Sequence, residues 1–300
     1  MARTRMNSLR QILVAVDYSS ASERALEIAA VLATQCGAAI TVLHVIEEAV
    51  FPISDEARQA ARSRLDETVA ALRARMFDAS SLLREGAAVA EICSSAAELD
   101  AGLVVIGSRG RRGLPRFVLG SVAERVVAMS SVPVLTVHPS DAVSILVGGM
   151  GRIRHIVAPT DFSEASQRGV DAAVTVALEL DAALTIVHVR ELPSYAYGLE
   201  GLIAEEEAKV RRALDEALAH VRVRLPRADG VARAGAPWKR ILDVVEERRA
   251  DLIVMRTHGR HGLQRMLIGS VAEKIVRLSP VPVLTLGPKR EDLRLAGVAG

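Results

Sequence analysis

Two clusters of small and cationic residues in this chain have the make-up of a phosphate cradle. The first reads Gly107-Ser-Arg-Gly110-Arg-Arg-Gly113 and resumes at Gly120-Ser121, a spacing of G-x2-G-x9-G-S. Glycine lets backbone come close to a ligand and adopt positive φ. A helix opening on Gly120, Ser121 and Val122 would offer unpaired N–H groups and the positive end of its dipole, which together suit a phosphate. Arg109, Arg111, Arg112 and Arg116 crowd the same loop. They either serve the anion or form an ordinary solvated surface. The second cluster, Arg256-Thr-His-Gly259 with Gly269-Ser270-Val271, keeps the spacing but begins on arginine. Arg256 puts a side chain where the first cluster has bare backbone, so it either crowds a sugar or swings out and adds charge beside the phosphates.

Two carboxylates accompany these loops. Asp17 and Asp161 each follow an apolar run and precede an aromatic residue and a serine. They could help to hold Mg2+, or simply be the acidic residues that favour a helix start. His44 and His188 also end apolar runs and read as structural. Trp238, in Gly235-Ala-Pro237-Trp238, reads as packing at a helix start.

Several function classes are disfavoured. The chain has no G-x4-G-K-[ST] loop, no G-x-G-x-x-G turn after its first strand and no S-G-G-x-D-S loop there, which argues against the corresponding NTPases, dehydrogenases and ATP-pyrophosphatases. Among 300 residues the net charge is only +2, with four Phe, three Tyr and one Trp. That balance does not suit a polyanion partner, and the scarcity of aromatics removes stacking platforms for single strands. Cys36 and Cys93 are too far apart for a CxxC site and too few for a disulfide framework. They read as buried thiols in a reducing cytoplasm. No apolar run reaches the roughly 18 residues of a membrane helix. Residues 1–10 carry arginines without a following apolar stretch, which predicts a short disordered leader rather than a secretion signal.

The elements that must position these residues are written twice. Ile12-Leu-Val-Ala-Val-Asp17-Tyr-Ser19 returns as Ile156-Val-Ala-Pro-Thr-Asp161-Phe-Ser163, and Ile40-Thr-Val-Leu-His44-Val45 returns as Leu184-Thr-Ile-Val-His188-Val189, at an offset of 144 (17 to 161). Gly120-Ser-Val-Ala-Glu124 and Val132-Pro-Val-Leu-Thr136 return at an offset of 149 (120 to 269). The second copy has therefore gained five residues after its second strand. We expect residues 1–140 to form one domain, 141–151 a linker, 152–290 a second domain and 291–300 a frayed tail.

Within each copy, short apolar runs alternate with longer segments of helical period. Strands are expected at Ile12 to Val16, Ile40 to Val45, Ser81 to Arg84, Leu103 to Ile106 and Val132 to Val137. Helices are expected from Ser19 or Ser20 to Gly37, around Leu65, Val69 and Leu72, from Ala90 to Leu99, and from Gly120. Ser20-x-x-Glu23 is a possible capping box. In the second copy strands fall near Ile156, Leu184, Gly230, Leu252 and Val283. This order predicts an α/β fold of two tandem doubly wound five-stranded parallel-sheet domains. Such sheets bind ligands where the winding reverses, outside the carboxyl ends of the first and fourth strands. The two Pro-Val-Leu-Thr strands, if each is a sheet edge, would cover one another by pairing. That predicts an internal pseudo-twofold.

Together these motifs resemble the universal stress protein family, in a tandem-domain form with the adenine nucleotide alpha hydrolase-like fold. The family's ATP-binding signature is G-2x-G-9x-G-[ST], which Gly107, Gly110, Gly120 and Ser121 match in full. The Asp after the first strand, the His-Val pairs and the closing Pro-Val-Leu strands agree as well. The resemblance implies that Ala15, Asp17, Val45, Ile106 and Gly107 line an adenine and ribose pocket, and that Gly110, Gly120, Ser121 and Val122 hold the phosphates with Arg109 beside them. In the second copy it implies Pro159, Asp161, Val189, Met255, Arg256, Gly259, Gly269, Ser270 and Val271. It further implies ATP as the ligand, with Mg2+, and a homodimer. The expected role is a cytoplasmic ATP-binding regulator of the stress response, ahead of a slow ATPase or autophosphorylating enzyme and of a nucleotide-free scaffold.

Overall fold

A computed structural model describes residues 9–47, 53–108, 119–139, 151–191, 200–257 and 268–287. The first half runs β1 (Gln11–Ala15), α1 (Ser20–Cys36), β2 (Ala39–Ile46), α2 (Asp55–Ala74), β3 (Ala79–Glu85), α3 (Ala88–Glu98), β4 (Leu103–Gly107), α4 (Ser121–Met129) and β5 (Val134–Val137). The second half repeats it as β6 (His155–Thr160), α5 (Glu164–Leu180), β7 (Ala183–Arg190), α6 (Glu200–Arg224), β8 (Ala228–Ala234), α7 (Pro237–Glu247), β9 (Leu252–Arg256), α8 (Ser270–Leu278) and β10 (Val283–Leu286). The expected linker and tail lie outside the described residues, apart from Gly151. Against the 20 residues of α2, α6 has 25, so the five-residue gain lengthens one helix and leaves the strand register intact. Ile40 still faces Ala79, and Leu184 faces Ala228.

Apolar β-branched runs buried on both faces make the central strands. The order is β3-β2-β1-β4-β5 in the first half and the same in the second. All pairs within a half are parallel. The winding reverses between β1 and β4, and between β6 and β9, as expected.

The halves join through β5 and β10, which pair antiparallel and make one ten-stranded sheet. Leu135 faces Leu284, its own counterpart, while Thr136 faces Val283 and Val134 faces Thr285. The pseudo-twofold passes through that leucine pair. One face of the sheet packs on α1, α2, α5 and α6, the other on α3, α4, α7 and α8, and each apolar layer contains residues of both halves. Gln35 of α1 adds polar contacts across the join, accepting from the Ile153 N–H at 2.8 Å and donating to the Ile153 and Leu180 carbonyls.

Two local expectations need correction. The N-cap of α1 is Ser19, whose hydroxyl accepts from the Ser22 N–H, so the Ser20-x-x-Glu23 box is one residue out of place. Cys36 and Cys93 are half-buried rather than sealed in the core. Gly37 does end α1, at φ 70°, because only a left-handed residue lets the chain turn back there without a Cβ penalty.

Candidate nucleotide crevices

Several of the apolar residues singled out at the strand ends gather on one face of the sheet. Ala15 pairs with Ile106 on β4 and with Leu43 on β2. Val45, two residues further along β2, and Val122, in the first turn of α4, pack on the same apolar layer as Ala15 and Ile106. In the second half Met255, Val189 and Val271 belong to that layer too. Strand alternation explains the grouping: side chains two apart share a face. Arg109, Gly110 and Gly259 lie outside the described residues.

Asp17 and Asp161 stand just beyond β1 and β6, where they shape their own turns. Asp17 Oδ1 accepts from the Ser19 N–H at 3.0 Å and the Ser19 hydroxyl at 2.6 Å. Asp161 does the same with Ser163, at 3.0 and 2.5 Å. His44 and His188 support these turns from the neighbouring strand, their Nδ1 atoms 2.7 and 2.9 Å from the carbonyls of Val16 and Thr160. Their structural reading agrees with this geometry.

The loop bases differ from the sequence reading at one donor. The Gly120 N–H is already used, donating to the Ser108 carbonyl at 2.7 Å, and the Gly269 N–H donates to Thr257 at 2.8 Å. The two glycines close the loops and begin the helices. Neither α4 nor α8 has a side-chain cap, so the first-turn N–H groups of Ser121, Val122, Ser270 and Val271 are the ones left facing outward.

Gly107 proves to be a packing residue. A Cβ there would come within 2.8 Å of the Ala21 and Ser22 backbone of α1. In the second half the glycine has changed sides: Arg256 occupies the strand position, and Gly169 of α5 makes room for it, with Arg256 Cγ 3.3 Å from where a Cβ would sit. Arg256 thus keeps its side chain at the strand position without a clash with α5. It lies over α5 and donates from Nη2 to the Gly287 carbonyl at 3.1 Å.

Pro159 makes a second asymmetry. Strands β1 and β4 stay paired up to Ala15 and Ile106, but β6 and β9 pair only at Ile156 with Leu252 and Val157 with Ile253. Proline has no N–H to donate, and the ladder stops short of it. Past the carboxyl ends of β7 and β8, between the starts of α7 and α8, lies a cavity of about 400 Å3 lined by Ser270, Val271, Trp238, Lys274 and Glu191 with residues 235–237. Trp238 sits at the start of α7, as expected, with Lys274 Nζ 5.7 Å from its ring centroid. Its place in a cavity wall with Lys274 and Glu191 was not readable from the chain, because three separate crossovers bring those residues together.

The sequence matches the universal stress protein family over residues 8–138 and 152–286. The chain belongs to that family. It is 34% identical over 195 residues to universal stress protein Rv2005c of Mycobacterium tuberculosis, an alignment covering 62% of this chain and 61% of that one. The chain thus spans about three fifths of the length of the first curated relatives it matches. A universal stress protein of Mycolicibacterium smegmatis is 29% identical over 299 residues, covering 93% of this chain and 97% of its own. Among solved structures, a universal stress protein from Archaeoglobus fulgidus superposes with a TM-score of 0.66 at 26% identity, covering 93% of this chain and 98% of that one. Both the tandem organisation and the arrangement of the sheet are therefore shared with relatives. Among the described residues no helix is long and apolar enough to cross a membrane.

Proposed function

We propose that the protein is an ATP-binding regulator of the stress response that holds an adenine nucleotide in the crevice at the carboxyl ends of β1 and β4, and a second beyond β6 and β9. One observation carries the reading most: the uncapped start of α8 opens on a cavity of about 400 Å3 whose other walls are Glu191, just after β7, and the start of α7. That size falls in the range of small-molecule sites. First-turn amides at such a place suit phosphate, by hydrogen bonding and by the helix dipole. In the first half Ala15, Val45 and Ile106 would flank base and ribose, with Ser121 and Val122 toward the phosphates. In the second half Pro159, Val189 and Met255 take the flanking positions, and Ser270 and Val271 the phosphate end.

Binding is favoured over turnover because Asp17 and Asp161 spend Oδ1 on their own turns. Mg2+ would arrive on the phosphates, with these carboxylates nearby. The reading sets the protein in the cytoplasm, where ATP is present and Cys36 and Cys93 stay reduced. A homodimer would have to form through surfaces other than β5 and β10, which already pair with each other. Light scattering that returned only the mass of one chain would remove that part.

Mass spectrometry of the purified protein is expected to find co-purifying ATP or ADP, and calorimetry to record ATP binding. Absence of nucleotide together with absence of binding heat would overturn the reading for both crevices. Trp238 is the only tryptophan in the chain and lines the cavity at the start of α8, so its emission reports the second half alone. We expect ATP to change it, and Ser270→Pro, which leaves the helix start intact but removes the Ser270 N–H, to weaken that change.

A further inference from the structure

A buried histidine joins the loop base of the first crevice to the second half of the chain. Ser108 follows β4 directly. Its N–H donates to the Val137 carbonyl at 2.7 Å, and its own carbonyl accepts the Gly120 N–H at 2.7 Å. Its hydroxyl lies 2.8 Å from His138 Nδ1, and His138 Nε2 lies 2.7 Å from the Val276 carbonyl of α8. A carbonyl can only accept, so Nε2 carries the proton. In the neutral imidazole Nδ1 is then the acceptor, and the Ser108 hydroxyl must donate to it. Serine and histidine are both buried, so losing either bond would strand a polar atom away from water.

The second half has no such link among the described residues. Thr257 keeps the backbone arrangement, accepting from Gly269 at 2.8 Å, but its hydroxyl turns to the Leu286 carbonyl of its own half at 3.3 Å. The position equivalent to His138 is Gly287, where a Cβ would lie 2.9 Å from the Ser130 carbonyl at the end of α4. No side chain fits there.

We propose that His138 is a positioning residue through which the second half of the chain fixes the start of α4, and with it the phosphate end of the first crevice, a role that no described residue of the first half mirrors at the second crevice. The route is short: Val276 holds the imidazole, the imidazole holds the Ser108 hydroxyl, and the Ser108 carbonyl holds Gly120. The consequence for ligand affinity rests on the nucleotide reading given above; the positioning itself does not.

The test uses the full chain with two substitutions. His138→Gln keeps a donor for Val276 and loses the Nδ1 acceptor, whereas Ser108→Ala removes the hydroxyl alone. Hydrogen exchange without ligand is expected to quicken about tenfold over residues 119–129, the scale of one lost buried hydrogen bond, and to stay at the wild-type rate over 268–278. The double variant should be no worse than the single ones. With ATP, calorimetry should show the first crevice weakened about tenfold while the response of Trp238 is unchanged. Wild-type exchange over 119–129 in folded Ser108→Ala, or equal loosening of both helices, overturns the proposal, and Ser108→Ala alone decides it if His138→Gln does not fold. Quickened exchange with unaltered ATP affinity overturns its binding half. If the wild-type protein binds no ATP, the nucleotide reading falls by itself and the exchange comparison still decides the positioning role.

Discussion

The turn that carries Asp17 is left-handed at a bulky residue. Tyr18 has φ 62°, and its counterpart Phe162 has φ 60°. An L-residue there costs roughly 1–2 kcal/mol, and two sets of contacts over-determine it. The Asp carboxylate bonds the following serine, and the aromatic ring packs on a histidine, with centroids 5.0 Å apart for Tyr18 and His44 and 4.3 Å for Phe162 and His188. The helix-start reading of Asp17 agrees with this turn. Gly107 shows the opposite relation between motif and cause. The G-x2-G-x9-G-S spacing was plain in the sequence, but the need for glycine comes from α1, a partner some 85 residues earlier that no local pattern displays. Gly107→Ala is expected to cost about 1–3 kcal/mol, as over-packing against fixed backbone does. Gly169→Ala should cost less than about 1 kcal/mol, because it meets mainly the flexible stem of Arg256. Urea denaturation of both variants checks the ranking, and equal costs would contradict this account of Gly107.

At the scale of elements, strand and helix order could be read from apolar period and from serine and glycine punctuation, because those signals are local. Hydrogen-bond partners that lie across the fold were not readable. The Gly120 N–H looked available only because Ser108 is not adjacent in sequence. The amino ends of β6 and β7 offer a similar lesson. His155 Nε2 lies 2.8 Å from the Thr185 hydroxyl, which donates to Asp229, itself paired with Arg248 at 3.0 Å. In the first half the same place is neutral, with Gln11 donating to Thr41 at 2.6 Å. Burial pushes His155 below the ordinary histidine value of 6.5, with Arg248 adding to the shift and Asp229 and Asp251 opposing it. The unfolded chain therefore binds a proton that the folded one refuses. Stability from this group is complete above pH 6.5 and declines as pH falls from there toward the lowered folded value. His155→Gln, which copies the first half, should flatten that decline. Denaturant midpoints at pH 7.5 and 5.5 measure it, and an unchanged pH difference in the variant would refute the assignment.

For the molecule as a whole, the seam between β5 and β10 is the decisive contact, and its two threonines are not equivalent. Thr285 donates to the Val134 carbonyl at 3.1 Å, whereas the Thr136 hydroxyl is buried with no hydrogen-bond partner among the described residues. Thr136→Val should stabilise by about 1 kcal/mol and Thr285→Val destabilise by about the same, from the cost of a buried unsatisfied hydroxyl and the net worth of a made bond. Thermal unfolding separates them by sign. The seam was foreseeable, since two Pro-Val-Leu-Thr strands predicted edges needing cover, but which threonine is satisfied depends on side-chain placement across the axis. The join also has a consequence during synthesis. Leu135 leaves the ribosome 149 residues ahead of Leu284, its partner. At about 5–20 residues per second, roughly 7 to 30 s pass in which the first half has all five of its strands and the edge of β5 has nothing to pair with. In that interval the strand best able to close the edge belongs to a neighbouring chain on the same message. The nascent protein is then most open to exchanging its second half with another copy.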